Sequence, residues 1–107
     1  MFRSWREYYE EHFEEEFKGT KYEEMVNREL AICDELTKKY LGKRMTFYEM
    51  DDKLHPMNVA FKDCINDGRG QPIGGTVIGL TPFNADDKLE RELTEKYGGY
   101  DLYSTRD

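Results

Sequence analysis

The chain has 107 residues, the usual size of one independently folding domain. Its formal net charge is -7 and 36% of its residues are charged, a balance that repels phosphates and argues against nucleic acid as a direct ligand. Leu, Ile, Val and Phe make up about 20% of the residues, a low share for a folded domain, but each aromatic ring can bury roughly 150–250 Å². With 14% aromatic residues, we expect a single domain over residues 1–107 with a small, aromatic-rich core.

The sequence also indicates in which cellular compartment the protein is located. It begins without an apolar run of signal-peptide length, and no stretch approaches the roughly 18 apolar residues that a membrane-spanning helix needs. Cys33 and Cys64 are the only cysteines, and they are widely separated without a CxxC motif, which is typical of free thiols in a reducing compartment. We therefore expect a cytoplasmic protein that does not contact a membrane.

Two helices are predicted in the N-terminal part of the chain. Helix 1 covers residues 4–18, with the capping-box sequence SWRE at its start. Helix 2 covers residues 20–41, opened by a second capping box from Thr20 to Glu23 and ended by Gly42. Because so little chain separates the two helices, we predict an antiparallel helical hairpin.

The middle of the chain is ambiguous between helix and strand. Residues 46–49 form a third S/T-x-x-E pattern, and Phe47, Met50 and Leu54 share one helical face. The stretch MTFYEM also alternates as a short strand would. We favour a short helix that ends before Pro56, because the acidic residues that follow are poor strand formers.

The C-terminal half predicts a small sheet and a last helix. Strands are expected over residues 59–65 and 76–81, joined by the turn sequence NDGRG. A helix capped by Asn84 should end at Gly98, and residues 100–105 could add an edge strand. The predicted fold class is α+β, with an N-terminal antiparallel helical hairpin, a small antiparallel β-hairpin with a Gly-rich loop, and a C-terminal helix packed on the sheet.

Helix 1 carries an unusual concentration of acidic residues beside aromatic rings. Residues 7–17 read EYYEEHFEEEF, and residues 7–16 contain six glutamates without a lysine or arginine. Spacing the residues about 100° apart around a helix places the rings on one half and most glutamates on an opposite arc roughly 140° wide. Only Glu16 falls on the aromatic side. The solvent-facing glutamates of this acidic stripe are Glu7, Glu10, Glu11, Glu14 and Glu15.

Two interpretations of the acidic stripe compete. Like charges at i,i+4 destabilise an isolated helix by about 0.2–0.5 kcal/mol per pair, a penalty that the solvated face of an amphipathic helix can tolerate. Alternatively, a basic surface on another molecule relieves the repulsion, and the carboxylates then stand in for the phosphates of a nucleic acid. On this second interpretation we expect a non-enzymatic inhibitor, of the type that mobile elements encode, which occupies the basic groove of a nucleic-acid-binding protein or nuclease complex.

A different class of function would use groups on the apolar faces of the helical hairpin. The apolar residues of helix 2, among them Val26, Leu30 and Cys33, recur at helical spacing and are expected to face the core, and Glu29 lies in this apolar arc between Met25, Tyr22 and Cys33. Together with His12 and Glu16 on helix 1, Glu29 could enclose a metal ion or supply acid–base chemistry. A histidine bonded to one glutamate, with the other glutamate reaching solvent, is the simpler structural interpretation. We keep a small metal-binding protein or enzyme as an alternative, and predict no catalytic residue, metal or cofactor.

The Gly-rich stretch GRGQPIGGTVIG has no nucleotide-binding pattern. Gly75 is followed by Thr76 without the lysine of a phosphate loop, and a strand follows where that loop requires a helix. A hairpin loop with a bulge is the structural interpretation, and a partner-contacting loop led by Arg69 the functional one. We include Arg69 among the predicted partner-binding residues.

A third class of function is homo-oligomeric. A small core in a small chain favours association with a second copy or a partner. Tyr48, Tyr100 and Tyr103 could form an exposed aromatic patch for a homodimer, as expected of a structural or assembly factor.

Overall fold

The structure, a computed structural model, describes residues 10–55, 57–82 and 87–105, with the side chains of the last range from residue 91 onward. None of the helices in these ranges is long and apolar enough to cross a membrane. The elements, in chain order, are a π-helix at Phe13–Phe17, α1 at Glu23–Tyr40, β1 at Arg44–Thr46, α2 at Phe47–Lys53, β2 at Met57–Asn66, β3 at Pro72–Pro82, α3 at Asp87–Tyr97 and β4 at Asp101–Ser104.

The strands form one antiparallel sheet in the order β1-β3-β2-β4. The predicted α+β class is confirmed, and both predicted hairpin strands are present in longer form as β2 and β3. The predicted edge strand is β4, which pairs with β2 from Asn58↔Ser104 to Phe61↔Asp101. The connection between β2 and β3 is short, so these two strands form the predicted hairpin.

A bulge in β3 decides which side chains face which side of the sheet. Ala60 pairs with Gly79 and Phe61 with Val77, so β3 has one extra residue, Ile78, at this point. The extra residue shifts the alternation of side chains, and Val77 and Leu80 therefore both face the main core while Ile78 faces the other side. A glycine inside a strand often marks such an irregularity.

The main core lies on the sheet face that α1 and α2 cover. Leu30 of α1 and Met50 of α2 are buried there against Val59, Val77 and Leu80 of the sheet. The burial of Val26, Leu30 and Cys33 of α1, four and three residues apart, follows the helical spacing expected from the sequence. Phe13 and Phe17 of the π-helix pack on this cluster from outside.

A smaller cluster occupies the opposite face of the sheet. Leu93 of α3 is buried with Ala60 and Ile78, and Tyr97 and Tyr100 pack around them. The helix α3 ends as predicted at Gly98, which has a positive φ of 70° and donates its N–H to Thr94 O at 2.9 Å. The predicted cap of this helix, Asn84, lies outside the described residues.

The N-terminal part differs from the predicted helical hairpin. Residues 4–9 of helix 1 lie outside the described ranges, residues 10–12 are α-helical, and Phe13–Phe17 forms a π-helix. The Lys18 N–H donates to Phe13 O at 2.8 Å, five residues back instead of four. The described end of helix 1 is therefore a wider turn, and the hairpin of two regular α-helices stays a prediction.

The predicted capping box at Thr20 is wrong. The helix α1 begins at Glu23 with Tyr22 as its N-cap residue. The Thr20 hydroxyl instead donates to Phe17 O at 2.8 Å, and the Glu23 carboxylate accepts from the Gly19 N–H at 3.2 Å. Both groups stabilise the turn between the helices, so the helix starts three residues later than predicted.

The ambiguous middle segment contains both a strand and a helix. Arg44–Thr46 forms β1, an edge strand that the sequence analysis did not predict in front of the helix. The favoured short helix is confirmed as α2, with a complete capping box: the Thr46 hydroxyl accepts from the Glu49 N–H at 3.1 Å, and the Glu49 carboxylate accepts from the Thr46 N–H at 3.1 Å.

A polar contact joins the end of the chain to the start of β2. The buried Thr105 hydroxyl donates to Met57 O at 2.7 Å and accepts from the Met57 N–H at 2.9 Å. His55 Nδ1 lies 2.9 Å from Thr105 O. These bonds hold β4 beside β2 at a point where the pairing of the two strands is only four residues long.

Two glycines of β3 are required by close approach of the neighbouring strands. A Cβ on Gly74 would lie 2.2 Å from Met45 O of β1, and one on Gly75 would lie 2.5 Å from the Phe61 ring and 2.8 Å from Lys62 O of β2. Atoms of the neighbouring strands β1 and β2 thus occupy the space that a side chain would need. Part of the Gly-rich stretch is therefore explained by strand packing.

We expect Gly74→Ala to destabilise the protein by about 2–3 kcal/mol, because the new methyl group would push β1 away from β3. Chemical denaturation measures this free energy of unfolding. Gly68→Ala is the matched control, since a Cβ there meets nothing within 4 Å, and it should change stability by less than about 0.5 kcal/mol. Equal effects of the two substitutions would contradict the role assigned to Gly74.

Candidate partner-binding surface

The described part of the acidic stripe is solvent-exposed. Glu10 and Glu11 lie at the end of the α-helical stretch and Glu14 and Glu15 in the π-helix, and all four side chains are exposed. Glu7, the remaining predicted member, lies outside the described residues. The prediction that these carboxylates bind a partner stays a prediction, and their exposure is the property that it needs.

The π-helix changes the arrangement of the glutamates from that expected of a regular α-helix. An i→i+5 hydrogen bond widens the helical turn, so residues four apart no longer lie directly above one another across Phe13–Phe17. The regular stripe expected of an α-helix therefore does not extend unchanged to Glu14 and Glu15. Single-turn π-helical segments occur frequently at functional sites in proteins.

Part of the negative charge is compensated within the chain. Lys18 Nζ lies 3.2 Å from Glu14 Oε2 and offsets part of the charge of that carboxylate. His12 lies between two glutamates, with Nε2 4.0 Å from Glu11 Oε1 and Nδ1 3.8 Å from Glu15 Oε2. Because Glu14 and Glu15 remain 74% and 78% exposed, solvent screens these contacts, and such surface pairs contribute only about 0.2–1 kcal/mol.

Arg69 lies in the turn of the β2–β3 hairpin, a different element from the acidic segment. Its backbone N–H and that of Gln71 both donate to Asp67 Oδ1, at 2.7 and 2.9 Å. The Asp67 N–H in turn donates to Gln71 O at 2.9 Å. The turn is thus built by the Asp67 carboxylate, which leaves the Arg69 side chain exposed at the tip.

The residues of the alternative His/Glu site are spread over different environments. Glu16 is exposed, whereas His12 and Glu29 are half-buried. His12 instead lies within 4.0 Å of the carboxylates of Glu11 and Glu15. Within residues 10–55, 57–82 and 87–105, no three or more His, Cys, Asp or Glu side chains are grouped so that they could hold a metal ion.

The predicted aromatic patch is reduced to one exposed ring. Tyr48 is 81% exposed, but Tyr100 packs in the smaller core cluster. The Tyr103 ring stacks on Phe47 with centroids 4.3 Å apart, and its hydroxyl donates to Asp51 Oδ1 at 3.0 Å. The expectation that all three tyrosines are exposed is wrong for Tyr100 and Tyr103, because the sheet and α2 cover them.

Part of the apolar arc predicted to face the core is exposed on the surface of α1. Tyr22 and Met25 were placed with Glu29 in the buried arc of helix 2, yet they are 49% and 41% exposed, and Ile32 is 46% exposed. The true core face of α1 is narrower and consists of Val26, Leu30 and Cys33. The apolar face of α1 that the sequence predicts is wider than the area that the sheet can cover. The type of residue alone does not indicate which part of that face stays exposed.

Comparisons with protein-family models, with curated protein sequences and with solved structures find no match for this chain. Its functional interpretation therefore rests on the geometry and chemistry of its own residues.

We expect Tyr103 to titrate late. Its partial burial, and then the hydrogen bond to Asp51, raise its pKa above the ordinary value of 10.0. Because the folded state favours the neutral phenol, this contribution to stability is present below about pH 10 and is lost as the pH rises through the raised pKa. Ultraviolet titration of the folded protein should show a late phenol ionisation that disappears in Tyr103→Phe and persists in the control Tyr48→Phe. A late phase that survives Tyr103→Phe would contradict the assignment.

Proposed function

We propose that this protein is a small acidic interaction protein that occupies a basic groove on a nucleic-acid-binding protein or nuclease complex. The observation that carries the proposal is the exposure of Glu10, Glu11, Glu14 and Glu15 within six consecutive residues. In this role the protein acts as an inhibitor that mimics nucleic acid, of the type that mobile elements encode, and needs no chemistry of its own.

The electrostatics of the acidic segment support this proposal. Four exposed carboxylates within six consecutive residues give a local density of negative charge that suits rows of Arg and Lys arranged to bind phosphates. The net charge of -7 adds a long-range field that steers a basic partner towards the surface. A partner's cations would also relieve the repulsion between neighbouring glutamates, which Lys18 moderates in part.

The packing of the neighbouring aromatic residues supports it further. Phe13 and Phe17 pack against the main core, so the π-helix is attached to the folded body on its apolar side. A surface that is positioned in advance loses less conformational entropy on binding than a flexible one. In the proposal, Arg69 provides a separate contact at the hairpin tip, and the interaction takes place in the cytoplasm, which suits the two free thiols.

We expect a double substitution, Glu10→Lys/Glu14→Lys, to leave the protein folded and to abolish capture of its partner. The change reverses two exposed charges in the acidic segment and replaces attraction by repulsion. Immobilised wild-type protein is used to capture partners from a host lysate at low salt, followed by elution in a salt gradient. The captured protein is then tested against each variant, and circular dichroism verifies folding.

The matched control is Asp52→Lys/Glu95→Lys, which makes the same change in net charge at exposed positions on α2 and α3. It should retain most of the binding, because only general steering is weakened. Wild-type binding should weaken steeply as salt rises from low to physiological concentrations, where the Debye length falls to about 8 Å. Salt-insensitive binding, or equal loss in both double variants, would contradict a specific role for the acidic segment.

A further inference from the structure

The outer face of α1 carries an apolar stripe, defined here as Tyr22, Met25, Ile32 and Leu36. The spacing of three, seven and four residues keeps these side chains along one line of the helix. The first three are 49%, 41% and 46% exposed, and Leu36 is half-buried at the edge of the core. The helix has 18 residues and is therefore about 27 Å long, sufficient for an extended helix–helix contact.

A row of charged residues runs beside the stripe and has an unusual symmetry. Glu24, Arg28, Glu35 and Lys39 are all exposed and lie on the same flank of the helix. Along the chain their signs are negative, positive, negative, positive. When a second copy of the helix is reversed in direction, each negative position meets a positive one. The row is therefore complementary to itself in an antiparallel arrangement.

We propose that α1 pairs with the α1 helix of a second copy of this chain, antiparallel and about a two-fold axis. Antiparallel pairing of two such helices places the flank of one copy against the same flank of the other. A register that sets Met25 opposite the partner's Leu36 also brings Arg28 to the partner's Glu35. In the same register Glu24 and the partner's Lys39, like Arg28 and the partner's Glu35, are offset by only two residues, about 3 Å along the helix axis, which these long side chains can span.

The symmetry of the contact doubles each favourable pair. Every Arg28–Glu35 contact occurs twice, because the partner's Arg28 meets Glu35 of the first copy. A parallel arrangement lacks this property, since it brings the charged row against the opposite flank of the stripe, which carries Glu29 and Tyr40. Charge complementarity thus specifies a second copy in one orientation as the occupant of the stripe.

One residue limits the affinity of this dimer. Glu29 lies on the core side of the stripe, is half-buried, and comes close to the partner's Ile32 and the partner's Glu29 in this register. Desolvation and like charge both oppose association there. We therefore expect a weak dimer, with a dissociation constant on the order of 100 µM, which Glu29→Ala should tighten several-fold.

The first test measures mass as a function of protein concentration by sedimentation velocity. Wild type should shift from monomer to dimer over about 10 µM to 1 mM, and Ile32→Glu should remain monomeric at every concentration. Asn27→Glu is the matched control, because it adds the same charge to the same helix on the face away from the stripe, and it should dimerise as wild type does. Circular dichroism and urea denaturation establish that each variant is folded.

The second test identifies the orientation through charge reversal. Arg28→Glu alone places two glutamates of opposite copies together, and Glu35→Arg alone places two arginines together, so each variant should dimerise about tenfold more weakly than wild type. A mixture of the two single variants should form a heterodimer. At one end the introduced glutamate meets the introduced arginine, and at the other end the native Arg28–Glu35 pair is kept. The double variant Arg28→Glu/Glu35→Arg should recover dimerisation.

Three results would overturn the proposal. They are a monomeric wild type up to about 1 mM, a dimer that survives Ile32→Glu, and single charge variants that do not restore association when mixed. A monomeric wild type would leave the stripe to a different protein. Dimerisation should be unaffected by Glu10→Lys/Glu14→Lys, so this inference and the proposed function succeed or fail independently.

Discussion

The enclosure of strand β3 is the constraint on which the rest of the structure depends. Its two edges pair with β1 and β2, and its two faces contribute to separate clusters, Val77 and Leu80 to one and Ile78 to the other. An enclosed strand needs little side-chain volume where backbones approach and large apolar groups where helices pack. Gly74 and Gly75 meet the first need, and the Val77–Leu80 segment, with its bulge, meets the second.

This arrangement leaves the helices to provide the surfaces that other molecules can reach. The sheet faces are occupied by core clusters, whereas the acidic segment and the outer face of α1 are exposed. The two surfaces differ in the partner that they select. The negatively charged acidic segment repels its own copy and attracts a basic molecule. A row of alternating charges, such as that on α1, can instead pair with the same row of a second copy. A dimer built through α1 would present two acidic segments at once, which raises the apparent affinity for a partner with two basic sites.

The elements that the sequence predicted well are those fixed by local chemistry. The Thr46–Glu49 capping box and the stop at Gly98 depend on neighbouring residues only, and both are present. The sequence also placed Cys33 in the core, because its helical spacing from Leu30 is local information. The fold class followed from these elements together.

The features that the sequence did not reveal depend on tertiary contacts. The Thr20 hydroxyl can cap a helix or bond to the carbonyl of Phe17, and the tertiary position of the turn selects the second bond, which delays the start of α1. The strand β1 exists because three residues find a partner in β3, which lies thirty residues along the chain. The exposure of Met25 and Ile32 depends on how far the sheet extends beneath α1. The hydrophobic periodicity of the sequence gives no information about that distance.

Both outer strands of the sheet are short, with three residues in β1 and four in β4. An additional strand could gain few backbone hydrogen bonds at either border, so the sheet is a poor template for ordered stacking of further chains. In the proposed dimer, self-association uses side chains on the outer face of α1 instead, and its charged contacts weaken reversibly as ionic strength rises. A cell could therefore accumulate this protein to high concentration with little hazard of fibril growth.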